Sequence, residues 1–349
     1  MAASLLIITI FGICLAISVN SSSSVVAARK PPCHFPAIFN FGDSNSDTGG
    51  LSAVFGQAPS PHGETFFHRP AGRYCDGRLV IDFIAQRLGL PYLSPFLDSI
   101  GTNFTHGANF ATSGSTIRPQ NTTFRQTGGV YETLMPKHED FSKALYTFDI
   151  GQNDLAAGYF LNMSTDENIY WQGGRYFWVH NTGPVGCLPY VMDRLPILAS
   201  QIDEYGCASP FNEVAQFFNR ELNKAVQQLR KDLPLAAITY VDVYSLKYSL
   251  ITNGRKHGFI YPFRACCGHG GKYNYNKKWG CGSRIYKEDG KEVLVGKSCK
   301  KPSAHVNWDG IHFTEAANKY IFDRIVDGSF SDPPTPLNMA CYREEYKYN

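Results

Sequence analysis

The stretch that most constrains this chain is FNFGDSNSDTGG, which runs from Phe39 to Gly50. An apolar run ends abruptly at Gly42, and small polar residues and two further glycines follow it. This pattern predicts a buried strand that ends in a tight turn before a helix. Ser44 would then lie at the carboxyl end of the strand, beside free backbone N–H groups and the positive end of the helix dipole. A nucleophile needs such a position, although the same residues also suit an ordinary turn in which Asp47 caps the helix.

A second stretch, WDGIHF, contains the other groups that a serine hydrolase requires. Asp309 lies three residues before His312, so its carboxylate can orient the imidazole that takes the proton from Ser44. The oxyanion would be bound by the backbone N–H groups of Ser44 and Gly114 and by the side-chain amide of Asn153. Each of these residues also has a purely structural interpretation. Asp309 and His312 could form a helix-entry cap, Gly114 could be an ordinary turn glycine, and Asn153 could form an Asx turn. Their common position at strand ends favours a catalytic site.

Strands alternate with helices along the chain. Apolar runs predict strands over 37–41, 109–111, 144–150, 176–180 and 237–243. Helical spacing of apolar residues predicts helices that begin near Gly77, run from Phe211 to Leu229, and extend from a Thr314 cap through Val326. Such alternation predicts an α/β fold, with one parallel sheet covered on both faces and the site outside the carboxyl ends of its strands.

The amino terminus indicates export. Residues 5–19 form an apolar run that is short for a membrane span, and small residues follow at 26–28. We therefore predict a cleaved signal peptide over residues 1–28, with a retained anchor as the alternative. The mature part, residues 33–341, is predicted to be a single domain that is secreted to the extracellular space, with no stable membrane insertion. Three N-x-S/T sequons fit this location, at Asn103, Asn121 and Asn162.

The chain has ten cysteines, of which Cys14 lies in the predicted signal peptide. Nine remain, and Cys75 is the candidate for the unpaired thiol. Our hypothesis for the others joins Cys187 to Cys207 and Cys33 to Cys341, and keeps most of the 266–299 section bonded internally. A zinc site in that section with His269 is the alternative, but the cysteine spacings match no regular C-x-x-C pair. No metal or cofactor is therefore predicted.

Four segments resemble a known family. FGDSNSDTGG, GANFATSGS, FDIGQND and VNWDGIHFTEAAN are similar, in order, to the four blocks of the GDSL (SGNH) esterase/lipase family. They look most like its secreted plant branch, whose members carry early-nodulin or fucosidase names. The resemblance extends from about Phe35 to Val326. It implies a flavodoxin-like α/β/α sandwich and a serine esterase without a metal. It also implies the catalytic and oxyanion roles given above for Ser44, Gly114, Asn153, Asp309 and His312.

The chain departs from the family's pattern at two places. Helical segments expected near Gly129–Tyr131 and between Asn162 and Gly173 look largely absent, so two covering helices are predicted to be shortened. The sheet face predicted to carry Leu145, Phe148, Phe177 and Val179 should then be left partly exposed. A chain of this kind, from a splice form or an imperfect gene model, would fold poorly or would need a partner.

Three functions remain open. The leading one is a carboxylic ester hydrolase acting on acyl or acetyl esters of plant lipids, metabolites or wall polysaccharides, so that its partner is a small-molecule or glycoconjugate ester. A glycosidase would need two carboxylates flanking the sugar, and Asp43 and Asp309 are available. The third is a secreted glycoprotein that no longer catalyses. A net charge of +3 without a basic run argues against nucleic acid, and the sequence does not indicate an oligomeric state.

Overall fold

The computed structural model describes residues 30–117, 137–153 and 173–343. The chain divides into two units, residues 1–31 and 32–349, and the second unit contains every element described below. Five of the sequence predictions lie outside the described residues: the signal peptide with Cys14, the two sequons at Asn121 and Asn162, and the two segments expected to be shortened.

A six-stranded sheet forms the centre of the second unit. Its strands are β1 (Ile38–Gly42), β2 (Gly107–Asn109), β3 (Leu145–Asp149), β4 (Tyr176–His180), β5 (Ala237–Val241) and β8 (Ser331–Asp332). A separate hairpin consists of β6 (Arg284–Tyr286) and β7 (Glu292–Leu294). The sheet order is β2-β1-β3-β4-β5-β8. The first five strands are parallel, in the order of flavodoxin-like folds, which confirms the predicted α/β class. The antiparallel edge strand β8 was not predicted.

Seven helices are described. They are α1 (Gly50–Phe55), α2 (Val80–Arg87), α3 (His138–Phe141), α4 (Pro189–Arg194), α5 (Ser209–Asp232), α6 (Val243–Thr252) and α7 (Glu315–Ile325). The hydroxyl of Thr314 accepts the N–H of Ala317, which confirms the predicted cap of α7. The sequence interpretation missed α6 and continued a strand to Val243. In the structure Asp242 caps this helix by accepting the N–H of Ser245, and the apolar residues of α6 are not confined to one stripe.

Side chains that alternate along the strands point into two cores. Ile38, Leu145 and Trp178 belong to the core beneath α2, α6 and α7. On the opposite face Phe148, Phe177 and Val179 pack in one cluster with Val226 and Leu229 of α5. The exposed sheet face predicted from the sequence is therefore not found, since Phe148, Phe177 and Val179 are only 7%, 1% and 4% exposed. The prediction was also wrong to place Leu145 on that face.

The cysteine hypothesis is confirmed. Four disulfides are present, Cys33–Cys341, Cys187–Cys207, Cys266–Cys299 and Cys267–Cys281. Within the described ranges, Cys75 is the one free cysteine, and it is fully buried. The sulfurs of Cys266 and Cys299 lie close to His305, but their disulfide leaves no thiolate to bind zinc. None of the described helices is long and apolar enough to cross a membrane.

Candidate active site

The turn after β1 holds Ser44 in a fixed conformation. Oδ1 of Asp43 accepts both the backbone N–H and the side-chain amide of Asn45, each at 2.9 Å. This Asx turn brackets Ser44 and restricts its backbone. Gly42 is required just before the turn because a Cβ there would lie 2.7 Å from the carbonyl oxygen of Asp149. The sequence pattern of strand, glycine and small polar residues therefore places a serine at the carboxyl end of β1.

Asp47 joins this turn to the loop after β2. Its Oδ1 accepts the backbone N–H of Gly50 at 2.5 Å, and its Oδ2 accepts the N–H of Ser113 at 2.7 Å. The helix-capping role considered for Asp47 is thus present together with a second role. Asp47 fixes the loop that carries Gly114 relative to the turn that carries Ser44.

Asn153 follows β3 and lies beside the same loop. Its Nδ2 donates to the carbonyl oxygen of Ser115 at 2.7 Å. This bond uses one hydrogen of the amide, and the second remains for another acceptor. The neighbouring Gln152 accepts a hydrogen bond from Nδ2 of Asn45 at 3.3 Å. Hydrogen bonds therefore connect the loops that follow β1, β2 and β3.

Asp309 and His312 form an ion pair on the turn before α7. Nδ1 of His312 lies 2.6 Å from Oδ2 of Asp309, and Oδ1 of Asp309 accepts the backbone N–H of His312 at 2.9 Å. Because Asp309 only accepts, Nδ1 carries a proton and Nε2 is the nitrogen available as a base. Burial raises the pKa of Asp309, but the charge of His312 and its hydrogen bonds have the larger effect and lower the pKa to about 2. Burial is the largest single influence on His312 and lowers its pKa, but Asp309 together with the charges of Asp43 and Asp47 outweighs burial, so the pKa is raised.

The hydrogen bond from Ser44 to His312 is not formed in this structure. Nε2 of His312 is buried and has no partner among the residues that the structure describes. The charges of Asp43 and Asp47 both raise the pKa of His312, so the imidazole lies within electrostatic range of the turn that carries Ser44. In unliganded enzymes catalytic hydrogen bonds are often long and tighten only when substrate binds.

Aromatic side chains that the sequence interpretation did not single out surround the Asp309–His312 turn. The ring of Tyr74 lies 5.6 Å from that of His312, and the ring of His62 lies 5.8 Å from Tyr74. Burial lowers the pKa of His62. Gly310 has a φ of 106°, and a side chain there would strike the ring of Tyr275. No periodic signal marks these residues because they lie in loops.

The family profile described as GDSL-like lipase/acylhydrolase matches residues 38–325. The chain is similar to a GDSL esterase/lipase of Arabidopsis thaliana, at 56% identity over 90% of this chain and 94% of the relative. It is similar to Alpha-L-fucosidase 3 of the same plant, at 55% identity over 94% and 98% of the two chains. An esterase of Hevea brasiliensis is 51% identical over 92% of each chain.

Two of these alignments are longer than the chain itself. Those with the two Arabidopsis thaliana proteins extend over 360 and 374 positions, more than the 349 residues of this chain. The relatives therefore contain residues that this chain lacks.

Proposed function

We propose that this chain, which belongs to the GDSL-like lipase/acylhydrolase family and is an ester-hydrolysing enzyme, uses Ser44 as its nucleophile. His312 acts as the general base and Asp309 orients it. The backbone N–H groups of Ser44 and Gly114 and the side-chain amide of Asn153 bind the oxyanion. The observation that carries this proposal is the 2.6 Å Asp309–His312 pair, which leaves Nε2 of His312 buried and without a partner among the described residues, within electrostatic range of Asp43 and Asp47 on the Ser44 turn.

Acylation begins when Nε2 of His312 takes the hydroxyl proton of Ser44. Oγ attacks the ester carbonyl carbon, and the carbonyl electron pair moves onto oxygen to form the tetrahedral intermediate. Each oxyanion donor contributes roughly 3 kcal/mol of transition-state stabilisation. Collapse of the intermediate breaks the bond to the alkoxy oxygen, which leaves as the alcohol with the proton from His312. The ionised Asp309 stabilises the imidazolium in the meantime.

Deacylation follows the same steps, with water as the nucleophile in place of Ser44. His312 takes a proton from water, and the resulting nucleophile attacks the acyl carbon on Ser44. The intermediate releases the carboxylic acid, and Oγ recovers its proton from the imidazolium. No metal is needed for either half.

The test is hydrolysis of p-nitrophenyl acetate by the parent and by Ser44→Ala and His312→Ala. Both substitutions should remove nearly all turnover, since triad members act as a unit. Ser46→Ala is the matched control. Its hydroxyl is buried two residues away and makes no hydrogen bond to the described residues, so its loss removes no hydrogen bond. A Ser44→Ala enzyme as active as Ser46→Ala would refute the assignment.

Small-molecule esters are the substrates that the family implies. We extend this to acyl or acetyl esters of plant lipids, metabolites or wall polysaccharides, including glycoconjugates. A series of p-nitrophenyl esters from acetate to long acyl chains, beside acetylated polysaccharide, separates these classes.

The four disulfides fit a secreted protein, since such bonds persist in oxidising compartments. We propose that residues 1–28 are removed and that 33–341 act as one extracellular domain in the apoplast or cell wall. Glycans would be attached at Asn103, Asn121 and Asn162. Asn103 is exposed, and its Oδ1 accepts the hydroxyl of Thr105 at 2.7 Å. Mass spectrometry of the secreted protein gives the mature amino terminus and the occupied sequons.

A glycosidase is the second candidate, because one relative is named an alpha-L-fucosidase and Asp43 carries a carboxyl of pKa about 6. Asp309, the other available carboxylate, is already paired with His312. Release of p-nitrophenol from a p-nitrophenyl fucoside by the Ser44→Ala enzyme would favour this function. Failure to hydrolyse either substrate would favour the third, a secreted glycoprotein impaired by the missing residues.

A further inference from the structure

The segment Gly72–Arg78, with the sequence GRYCDGR, contacts both the turn that carries Ser44 and the turn that carries His312. It contains no helix or strand, yet five of its seven residues are buried. Loops usually run over the surface, because buried backbone needs partners for its polar groups. The contacts of this buried loop therefore show which parts of the molecule it holds.

One end of the segment lies against the start of α1, just after the Ser44 turn. A Cβ on Gly72 would lie 2.6 Å from Cα of Gly49 and 2.8 Å from the carbonyl oxygen of Thr48. Nη1 of Arg73 donates to that same carbonyl oxygen at 3.3 Å. Arg73 is itself fixed by two hydrogen bonds to Asp82 of α2, from Nε at 2.9 Å and from Nη2 at 2.6 Å. The segment therefore meets the nucleophile turn at a defined place.

The other end holds Glu315, the first residue of α7. Oδ1 of Asp76 accepts the backbone N–H of Glu315 at 2.7 Å. Arg78 donates to Oε1 of Glu315 from Nε at 3.0 Å and from Nη2 at 2.6 Å. The carbonyl oxygen of Arg78 also accepts Nδ2 of Asn318, one turn further along α7, at 3.1 Å. Because Glu315 lies three residues after His312, these bonds fix the helix that the His312 turn leads into.

The middle of the segment reaches the proposed base directly. The ring of Tyr74 lies 5.6 Å from the imidazole of His312, with the two planes inclined at 35°. Cys75 beside it is fully buried, and its sulfur accepts Nδ2 of Asn318 at 3.6 Å. One short segment thus contacts the start of α1, the imidazole and the start of α7.

We propose that the 72–78 segment sets the position of His312 relative to Ser44, with Gly72 and Asp76 as the positioning residues at its two ends. This role rests on the proposed function of Ser44 and His312. Gly72 acts through Gly49 and Asp76 acts through Glu315, so neither is a catalytic residue.

Proton transfer from Ser44 to His312 makes such a spacer necessary. The two side chains belong to turns that are distant in sequence, and the transfer needs heavy atoms about 2.6–3.2 Å apart. A displacement of about 1 Å can lower the rate roughly 10²-fold. If the segment served only to stabilise the fold, its substitution would lower the melting temperature and leave kcat unchanged.

The first experiment compares Gly72→Ala with Gly89→Ala. The two glycines have φ values of 77° and 72°, so alanine strains the backbone similarly at both. At Gly89 the new Cβ meets nothing within 4 Å, whereas at Gly72 it presses on Gly49. With p-nitrophenyl acetate, Gly72→Ala should lower kcat roughly 10- to 100-fold with little change in KM. Gly89→Ala should keep the kcat of the parent. Equal kcat values for the two variants would overturn the proposal.

The second experiment tests the other end with Asp76→Ala and Asp76→Asn. Asp242→Ala is the matched control, because each of these carboxylates accepts one N–H in the first turn of a helix and one hydroxyl. We expect Asp76→Ala to lower kcat roughly 10-fold or more, at unchanged KM. Asp76→Asn keeps an oxygen for the N–H of Glu315 and should recover most of the rate. Asp242→Ala should lose melting temperature but not kcat.

An Asp76→Ala enzyme with the kcat of Asp242→Ala would show that the segment only stabilises the fold. Melting temperatures identify the variants that are folded at the assay temperature. If Gly72→Ala does not fold, the comparison of Asp76→Ala with Asp76→Asn and Asp242→Ala decides the proposal.

Deuterium uptake by the backbone gives a readout that does not depend on catalysis. Gly72→Ala should raise uptake over residues 43–50, and Asp76→Ala should raise it over residues 309–315, because each loses the support of its end of the segment. Gly89→Ala and Asp242→Ala should change neither region. Unchanged uptake in Gly72→Ala and Asp76→Ala would contradict the positioning role. If the parent's hydrolysis does not depend on Ser44, the proposed function fails, and deuterium uptake still decides whether the segment holds both turns.

Discussion

Oδ2 of Asp47 lies 2.7 Å from the backbone nitrogen of Ser113. This single contact ties the loop that carries Gly114 to the turn that carries Ser44. The two backbone donors proposed for the oxyanion therefore depend on one buried carboxylate for their relative position.

Substitution of this carboxylate is the first prediction. Asp47→Ala leaves the N–H groups of Gly50 and Ser113 without their acceptor, and should lower the free energy of unfolding by on the order of 3 kcal/mol. Turnover should fall as well, with little change in KM. Urea denaturation and ester hydrolysis measure the two effects. Asp289→Ala is the control, because its exposed carboxylate accepts one backbone N–H and its loss should matter little. Equal unfolding free energies for the two variants would contradict this role of Asp47.

The second prediction concerns pH. Burial lowers the pKa of His312, and Asp309 together with Asp43 and Asp47 raises it by more, so the net pKa lies above the ordinary value of 6.5. Only the neutral imidazole accepts the Ser44 proton, so kcat/KM should rise with pH through that raised pKa. Asp309→Asn removes the raising charge, and the acid limb should move to lower pH while the rate falls. A pH profile of p-nitrophenyl acetate hydrolysis tests this. An acid limb at the same pH in Asp309→Asn would show that another group titrates.

The third prediction concerns the side-chain oxyanion donor. Asn153→Ala should lower kcat by roughly 10²–10³-fold with little change in KM, because the amide acts mainly on the transition state. Steady-state kinetics on p-nitrophenyl acetate measure both constants. Asn253→Ala, which removes an exposed amide at the end of α6, is the control. If the two alanine variants have the same kcat, Asn153 is not a donor.

Thiol reactivity gives the fourth prediction. Cys75 is fully buried, and this burial raises the pKa of its thiol well above the ordinary value. Iodoacetamide should therefore modify no cysteine of the mature native protein, and one after denaturation without reductant. Peptide mapping should find the label on Cys75. Label on two or more cysteines would contradict the disulfide scheme.

The sequence predicted much of the fold, because burial leaves a pattern. Strands β1 and β3 to β5 are apolar runs, and α5 shows an apolar stripe. The central part of each of these elements could therefore be located in the sequence. Helix α6 lacks such a stripe, and its Asp242 cap follows a strand without a break. The sheet face around Phe177 was expected to be exposed because a covering helix looked short, yet α5 packs in the same cluster. The sequence interpretation did not consider that a helix distant in sequence, such as α5, could cover this face.

The site was predicted where residue type and strand ends coincide. Ser44, Asp309 and His312 stand in short polar turns whose spacing limits what they can contact. Loop residues such as Tyr74 and Tyr275 have no periodicity at all, so only the folded chain brings them beside the Asp309–His312 turn.

Covalent labelling tests the central claim most directly. A fluorophosphonate probe phosphonylates a serine only where a base and oxyanion donors activate it. The purified parent should gain one adduct by intact mass, and peptide mapping should locate it on Ser44. The Ser44→Ala protein should gain none, whereas Ser46→Ala should label like the parent. An adduct of equal yield on Ser44→Ala, or one located on another residue of the parent, would contradict the assignment of Ser44 as the nucleophile.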